Sequence, residues 1–299
     1  MNMKEVIGVD LGGTNIKMGR FTPTGDCLES LTIPTPQPST PAAVVEAISH
    51  GVNRLNRHKQ ALALGVGTPG PADATGRIAL VAINLTDWHN VPLAELLEAK
   101  TGLATVIAND ANCAGLAEAW LGAGKGHSNL VLLTLGTGVG GAIILNGKLF
   151  TGHLGAAGEL GLITLNPDGP PCNSGNQGSL EQYVSATAII RETGKTPASL
   201  ALLAEKNDPE ALTFWQNYGR RLGAGLASII YVLTPEVVII GGGICKSAKY
   251  FLPATIAEVE KRVLPSSRVG LKITVAQLGE KAGMVGAAFL AWQTFFPSQ

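Results

Sequence analysis

The chain has 299 residues, of which 38 are glycine, and its 22 Lys plus Arg residues balance 22 Asp plus Glu residues. Glycine is therefore about 13% of the chain, against roughly 7% in an average protein. The apolar content of 45% excludes a disordered chain, and the zero formal net charge excludes the basic character of a typical nucleic-acid binder. At about 100–200 residues per domain, the length predicts two domains.

Cysteine usage and the termini indicate a cytoplasmic protein. The cysteines Cys27, Cys113, Cys172 and Cys245 are widely spaced and form no CxxC pair, which is typical of a reducing compartment. No extended apolar segment precedes the first strand, so we expect no signal peptide. The longest apolar stretch is interrupted near residue 235, so we expect no membrane span. These features predict neither a membrane nor a nucleic-acid partner.

The predicted elements alternate between short β-rich runs and longer helical patterns. In chain order the predicted strands are 6–10, 16–21, 62–66, 105–108, 130–135, 142–145, 236–240 and 272–276. The predicted helices are 41–56, 92–101, 111–121, 180–192, 209–233, 248–264 and 283–294. A proline-rich connector at 34–41 leads into the first helix. Strands that alternate with helices predict an α/β protein with largely parallel sheets.

A strand that runs into a glycine turn occurs twice. The run 6–10 leads into Gly12-Gly13-Thr14, the run 130–135 leads into Gly136-Thr137-Gly138, and another β-rich run follows each turn. The pattern predicts two hairpins and two related halves. Walker A and Rossmann loops instead lead into a helix. Glycine turns admit a phosphate to the backbone N–H groups, although two tight hairpins with glycine at positive φ explain the same residues.

Two aspartates follow predicted strands. Asp10, at the end of the first strand, is placed to hold a phosphate-bound Mg²⁺ through water, and Lys17 is placed to offset phosphate charge. Asp110 opens the helix after strand 105–108. It is either a helix cap or a general base that accepts the proton of an attacking hydroxyl, since ligands gather beyond the carboxyl ends of parallel strands.

Two loops add polar or rigid positions. The turn at 67–71 contains Gly70, and the loop at 83–88 contains Asn84 as donor and acceptor and Trp88 as an apolar platform. Each is equally typical of an ordinary turn or capped loop.

Taken together, these motifs resemble the ROK family of sugar kinases and repressors, within the actin/hexokinase/Hsp70 ATPase superfamily. The resemblance runs in order from residue 6 to about residue 290. It rests on DLGGTNIK at 10–17, GTPGP at 67–71, NL..W at 84–88, ANDAN at 108–112, LGTGVGG at 135–141, GAAGELG at 155–161 and VVIIGGG at 237–243.

The resemblance implies an α/β fold with two lobes, the actin-like ATPase (ribonuclease H-like) fold, and a cleft between the lobes. Residues 1–115 plus 286–299 would form the small lobe and residues 116–285 the large lobe. The implied activity is ATP- and Mg²⁺-dependent phosphorylation of a hexose on its primary hydroxyl, with glucose as the first choice. Family members usually form dimers, so the resemblance also implies a homodimer.

The resemblance also assigns roles to single residues. Asp110 would be the catalytic base, and Asp10 would hold Mg²⁺ through water. The sugar would contact Gly70, Asn84, Asn109, Asp110, Glu159 and Glu181. The nucleotide would contact Asp10, Gly12, Gly13, Thr14, Lys17, Gly136, Thr137, Gly138 and Gly140, with Gly241, Gly242 and Gly243 beside adenosine.

One part of the family pattern is missing. Where members carry a zinc-binding histidine and three cysteines, this chain has Leu162, Cys172, Ser174 and Ser179. A closed zinc site needs four nitrogen or sulfur ligands, so we predict no bound zinc. The loss also removes a sugar contact near the anomeric end. Ser179 and Gln182 instead match an S-x-x-Q capping box for the following helix.

Alternatives to a glucokinase remain within and beyond the sugar kinases. Fructokinase, N-acetylmannosamine kinase and polyphosphate-using glucokinase differ only in acceptor or donor. A non-catalytic sugar sensor of the ROK type is the alternative from another class. Repressors of the family carry an N-terminal helix-turn-helix, whereas the first phosphate strand here begins at Val6. Intact Asp10, Asn109 and Asp110 favour an active kinase.

Overall fold

The computed structural model describes residues 4–82 and 84–297 and divides the chain into two compact units. The first unit contains residues 1–126, 147–158 and 278–299, and the second contains residues 127–146 and 159–277. These units do not coincide with the predicted lobes, because two helices that cross residues 115 and 286 each stay whole within the first unit. The lobe division itself stays a prediction.

The strands of the described residues are short and mostly buried. In chain order they are β1 (Glu5–Leu11), β2 (Asn15–Phe21), β3 (Cys27–Pro34), β4 (Ala61–Thr68), β5 (Ala79–Val81), β6 (His89–Val91), β7 (Ala104–Asn109), β8 (Leu130–Leu135), β9 (Val139–Leu145), β10 (Lys148–Leu149), β11 (Val237–Gly241) and β12 (Lys272–Val275).

The helices connect and cover these strands. They are α1 (Pro41–Leu55), α2 (Leu93–Thr101), α3 (Asp110–Leu121), α4 (Glu181–Val184), α5 (Ala186–Thr193), α6 (Pro197–Glu205), α7 (Pro209–Leu233), α8 (Ala248–Arg262) and α9 (Ala282–Phe295).

The first unit is built on a sheet with the strand order β3-β2-β1-β4-β7. β1 pairs antiparallel with β2, while β1, β4 and β7 run parallel, so the carboxyl ends of these three strands lie at one edge. Helices cover both faces: α1 and α2 pack on the side of Ile7, and α3 and α9 pack on the side of Val6. Burial on both faces explains why β1 is a nearly continuous apolar run.

In the second unit the strands lie in the order β9-β8-β11-β12. β8 pairs antiparallel with β9, whereas β8, β11 and β12 are parallel. The long helix α7 begins at Pro209, where Asp208 accepts the Ala211 N–H at 2.8 Å as the N-cap, and it buries Trp215 and Tyr218 against the sheet. Both units thus place an antiparallel hairpin beside parallel strands, which confirms the predicted hairpins.

The predicted helix 180–192 is wrong as a single element. Ser185 is extended, with φ −83° and ψ 163°, and its side chain accepts the Ala188 N–H at 3.1 Å. A serine in this conformation starts a new helix, so the segment splits into α4 and α5. The predicted capping box is also wrong, because Gln182 donates its N–H to the backbone carbonyl of Ser179 and Leu180 is already helical.

Within residues 4–82 and 84–297, no helix combines the length and the apolar character that a bilayer crossing requires.

Candidate active site

Two aspartates stand at the carboxyl edge of the first unit's sheet. Asp10 pairs in register with Gly67 of β4, and Thr68 at the end of β4 pairs with Asn109 at the end of β7. Asp110 follows immediately as the first residue of α3. The strand order therefore brings together two carboxylates that are 100 positions apart in the sequence.

Burial raises the pKa of both carboxylates, and the charge of Asp110 adds to the rise at Asp10. Loss of solvation raises the pKa of Asp10 from 3.8 to about 6; the negative charge of Asp110 also raises it, and Lys17 lowers it. Partial loss of solvation likewise raises the pKa of Asp110, while hydrogen bonds from Ala111 and Asn109 oppose that rise. A crowded carboxylate pair of this kind suits a divalent cation or a proton-accepting role.

Asn109 fixes the start of α3. Its Oδ1 accepts the N–H groups of Ala111 at 2.9 Å and Asn112 at 3.3 Å, and its Nδ2 donates to the Gly70 carbonyl at 3.2 Å. Asp110 Oδ1 also accepts the Ala111 N–H, at 2.7 Å. Asp110 is therefore held by the first turn of α3. The Asn109 side chain links the start of this helix to Gly70 in the GTPGP turn.

The first glycine turn joins β1 to β2 at the same edge. The Gly12 N–H donates to Asn15 O at 3.0 Å, and Thr35 holds the turn through its N–H to Thr14 O at 2.9 Å and its hydroxyl to Gly12 O at 2.6 Å. Gly13 and Thr14 are exposed. The tip of the turn is therefore accessible and its base is fixed.

The start of α9 completes this set, and the sequence analysis missed it. Glu280, just before α9, accepts hydrogen bonds from Lys17 Nζ through its carboxylate at 3.2 Å and its carbonyl at 3.3 Å. Gly283 in the first turn of α9 lies against Asp10, so closely that a Cβ there would be 2.4–2.7 Å from the Asp10 carboxyl group. Contacts over more than 260 positions leave no local signal in the sequence.

The loop at 84–88 divides into an accessible residue and a core residue. Asn84 is exposed and lies beside the first glycine turn, since a Cβ on Gly13 would be 4.0 Å from the Asn84 Cβ. Trp88 is 1% exposed and donates from Nε1 to Ser39 O at 2.8 Å. The predicted apolar platform at Trp88 is therefore wrong, because the indole belongs to the core.

In the second unit, the second glycine turn joins β8 to β9. The Gly136 N–H donates to Gly138 O at 2.9 Å, and Thr137 at the tip is exposed. Gly242, with φ 86°, follows β11 beside this turn, and a Cβ there would be 2.3 Å from Leu135 O. The glycine edge at 241–243 therefore lies next to the end of β8.

Glu181 contacts this turn, and the segment that carries Glu159 lies against the first residue after it. Glu181 Oε2 accepts the Val139 N–H at 2.8 Å. Glu159 is exposed and precedes a short 3-10 turn at Leu160–Leu162, in which a Cβ on Gly161 would be 2.1 Å from Val139 O. Both segments that carry the predicted sugar-binding glutamates thus converge on Val139.

The residues at the family's zinc positions form a hydrogen-bonded turn. Ser174 Oγ donates to Cys172 Sγ at 3.3 Å. Burial raises the pKa of Cys172, but the hydrogen bonds from Ser174 outweigh it, so the net pKa is lowered. Among the residues that the structure describes, no three His, Cys, Asp or Glu side chains cluster closely enough to hold a metal ion. The absence of zinc stays a prediction.

Two α/β units, each with a glycine hairpin beside parallel strands and with acidic side chains at the turn, define an actin-like ATPase fold. The ROK family profile matches residues 6–294. The chain therefore belongs to the ROK family, which confirms the resemblance.

Sugar kinases are among the proteins that this chain resembles over most of its length. A glucokinase of Thermotoga maritima is 36% identical over 95% of this chain and 96% of its own length. A ROK hexokinase of Thermus thermophilus superposes with a TM-score of 0.85 at 33% identity, covering 96% of this chain and 98% of that one. A ROK glucokinase of Streptomyces griseus, solved with glucose and AMPPNP, gives a TM-score of 0.79 at 34% identity, covering 97% and 99%.

Proposed function

We propose that this protein is an ATP-dependent hexokinase of the glucokinase type, which transfers the γ-phosphoryl group of ATP to the primary hydroxyl of glucose. The observation that carries the proposal is the Asp10 and Asp110 pair at the carboxyl edge of β1 and β7. Glucokinases of the same family, similar over nearly the whole chain, support glucose and ATP as the substrates.

Asp110 is the proposed catalytic base. It accepts or orients the proton of the attacking sugar hydroxyl, and its raised pKa favours that role because a base works best when its pKa approaches the working pH. The hydrogen bond from the Ala111 N–H fixes the carboxylate at the start of α3. Since phosphoryl transfer depends mainly on alignment and charge stabilisation, this fixed position matters as much as basicity.

Asp10 is the proposed magnesium residue. Loss of solvation and the charge of Asp110 make ionisation of Asp10 less favourable than usual. A cation would offset this cost, so the residues present fit Mg²⁺ held through water. The ion would supply charge neutralisation for the ATP phosphates. Lys17 and the first glycine turn, Gly12, Gly13 and Thr14, would bind the same phosphates.

The second unit is the proposed nucleotide-binding half. The turn that contains Gly136, Thr137, Gly138 and Gly140 would receive phosphate oxygens at its tip, as glycine turns do when no side chain obstructs them, because the Gly136 N–H is already used within the turn. The Gly241, Gly242 and Gly243 edge, which lies beside the end of β8, would pack on adenosine.

The proposed sugar contacts are Gly70, Asn84, Asn109, Asp110, Glu159 and Glu181. Asn84 and Glu159 are exposed, and Asn109 ties its own position to the Gly70 carbonyl. The remaining glutamate, Glu181, contacts the second glycine turn. We further propose a zinc-free, cytoplasmic homodimer without nucleic-acid or membrane partners.

A substrate panel tests the function. Purified protein is incubated with glucose, fructose, mannose or N-acetylmannosamine, each crossed with MgATP and with polyphosphate, and ADP or phosphorylated sugar is measured. The proposal expects the highest kcat/KM for glucose with MgATP, and ADP release that depends on sugar. Sugar binding without turnover of any donor would contradict it and favour a sensor, whereas turnover with another hexose or only with polyphosphate would correct the acceptor or the donor.

A further inference from the structure

Residues of α4 and α5 bind the second glycine turn. Three hydrogen bonds link them: the Val139 N–H donates to Glu181 Oε2 at 2.8 Å, the Ala186 N–H donates to Gly136 O at 2.7 Å, and Thr187 Oγ1 donates to Thr137 O at 2.9 Å. The carboxylate also lies against Gly138, where a Cβ would be 2.5 Å from Glu181 Oε2. The turn is thus held at Gly136, Thr137 and Val139.

The break between α4 and α5 creates this arrangement. Because Ser185 ends α4 and caps α5, the first residues of α5 direct the Ala186 N–H and the Thr187 hydroxyl at the turn. A continuous helix would use the Ala186 N–H within the helix. The unexpected split therefore has a structural consequence at the proposed phosphate site.

The short helix α4, which carries Glu181, is itself fixed to the core. Leu180 and Val184 flank Glu181 and are fully buried, and the Tyr218 hydroxyl of α7 donates to Val184 O at 2.8 Å. A rigid support of this kind limits the movement of a side chain that holds a turn. Glu181 is therefore a fixed acceptor for the Val139 N–H.

A carboxylate on a phosphate-binding turn is electrostatically unfavourable for phosphate, so its presence needs another explanation. Glu181 uses one oxygen to hold the Val139 N–H, and the Gly136 N–H is used within the turn. Thr137 at the tip is exposed, and Gly138 beside it is half-buried. A hydrogen-bonded base with an exposed tip is a preorganised anion site, which lowers the ordering cost of binding.

We propose that Thr187 and Glu181 are positioning residues for nucleotide binding, which hold the second glycine turn in the shape that receives the ATP phosphates. This inference rests on the proposed function. Glu181 then has two roles, because the same carboxylate that is proposed to bind the sugar also shapes the turn. Sugar and nucleotide binding become linked through it, and such linkage is reciprocal.

Two variants of Thr187 test the positioning role separately from sugar binding, since Thr187 has no proposed sugar contact. Thr187→Val removes the hydroxyl at nearly constant shape, and Thr187→Ser retains it. Calorimetry measures the dissociation constants of AMPPNP and of glucose separately. We expect Thr187→Val to weaken AMPPNP binding about three- to tenfold, the effect of one hydrogen bond, with glucose binding unchanged and Thr187→Ser near wild type. AMPPNP affinity of Thr187→Val equal to wild type would overturn the role of Thr187.

The glutamates give the matched comparison. Glu181→Ala is expected to weaken both glucose and AMPPNP binding, the latter even without sugar, whereas Glu159→Ala is expected to weaken glucose binding only. If sugar-free Glu181→Ala binds AMPPNP as tightly as wild type, the second role of Glu181 is wrong. Circular dichroism of each variant checks that the fold is retained, and Thr187, which is exposed, provides the test that depends least on core packing.

Measurements on the wild-type protein distinguish a failure of this inference from a failure of the proposed function. If wild type neither binds AMPPNP nor phosphorylates a sugar, the proposed function fails and this inference fails with it. If wild type phosphorylates glucose while Thr187→Val and Glu181→Ala keep wild-type AMPPNP affinity, only the positioning roles fail.

Discussion

Replacing Asp10 with asparagine should stabilise the metal-free protein while it removes activity. The folded-state pKa of about 6 exceeds the ordinary value of 3.8. These values differ by about 2 pH units, so ionised Asp10 costs about 3 kcal/mol of folding free energy at neutral pH. Asparagine has the same shape without the charge, so Asp10→Asn should recover that amount.

The sign of the pH dependence follows from the raised pKa. In wild type, the stability that protonated Asp10 contributes is complete below pH 3.8 and is lost as the pH rises through about 6. The stability gained by Asp10→Asn should therefore be small near pH 4, grow with pH and become constant above about pH 6.5. A gain of 3 kcal/mol corresponds to a Tm increase of roughly 6–12 °C for a unit of this size.

The assay is urea and thermal unfolding of wild type and Asp10→Asn between pH 4 and pH 8, with EDTA present to exclude metal binding. Asp168→Asn, at an exposed carboxylate in the second unit, is the control and should leave stability unchanged at every pH. A variant that is less stable than wild type at pH 7.5, or whose stability gain does not depend on pH, would refute the argument that burial and the Asp110 charge oppose the ionisation of Asp10.

Three further predictions concern the same residues. Asp110→Asn should lower kcat at least about a hundredfold while calorimetry finds glucose binding near wild type; a near-wild-type kcat would refute the base assignment. Gly283→Ala places a methyl group 2.4–2.7 Å from the Asp10 carboxyl group, so the Mg²⁺ concentration for half-maximal rate should rise and kcat should fall; an unchanged Mg²⁺ titration would contradict that contact. Removal of zinc by chelation and dialysis, followed by addition of Mg²⁺, should leave Tm and kcat unchanged, whereas elemental analysis with one zinc per chain would contradict the reading of Leu162, Ser174 and Ser179.

Local patterns predicted much of the framework. The hairpins form as expected because a buried strand, a glycine turn and a second strand are adjacent in the chain. α7 has the predicted bounds, since Asp208 and Pro209 mark its start and Thr234, with φ 40°, ends it. The exposed strand β3 and the helix α6 were missed, because neither combines strong periodicity with burial.

Long-range packing was beyond the reach of the sequence. Gly8 and Gly65 lie in the strands β1 and β4, where a Cβ would be 1.9 Å from Met284 O and 1.8 Å from Ala287 O of α9. Their role is the close approach of a helix to the sheet, and nothing in the local sequence separates them from glycines that face a ligand. Gly283 and Glu280 were not predicted as site residues, because their contacts with Asp10 and Lys17 are also distant in the sequence.

In the candidate site, too, residues marked by a local pattern were predicted and contacts that depend on long-range packing were not. Asp10 and Asp110 were identified because one lies at the end of a strand and the other directly after a strand, and the parallel order of β1, β4 and β7 brings the two ends together. The contact of Glu181 with Val139 was not foreseen, since it depends on the break at Ser185. A serine at that position is compatible with a helix interior as well as a cap, and only the packed structure decides.

Phosphorus NMR of wild type with MgATP and glucose shows whether the protein phosphorylates glucose. We expect the γ-phosphate signal of ATP to be replaced by the signal of glucose 6-phosphate, with one ADP formed per sugar phosphorylated, and we expect Asp110→Asn to form neither at a comparable rate. ADP and orthophosphate produced equally with and without glucose, or no phosphorylated sugar while glucose still binds, would contradict the proposed function.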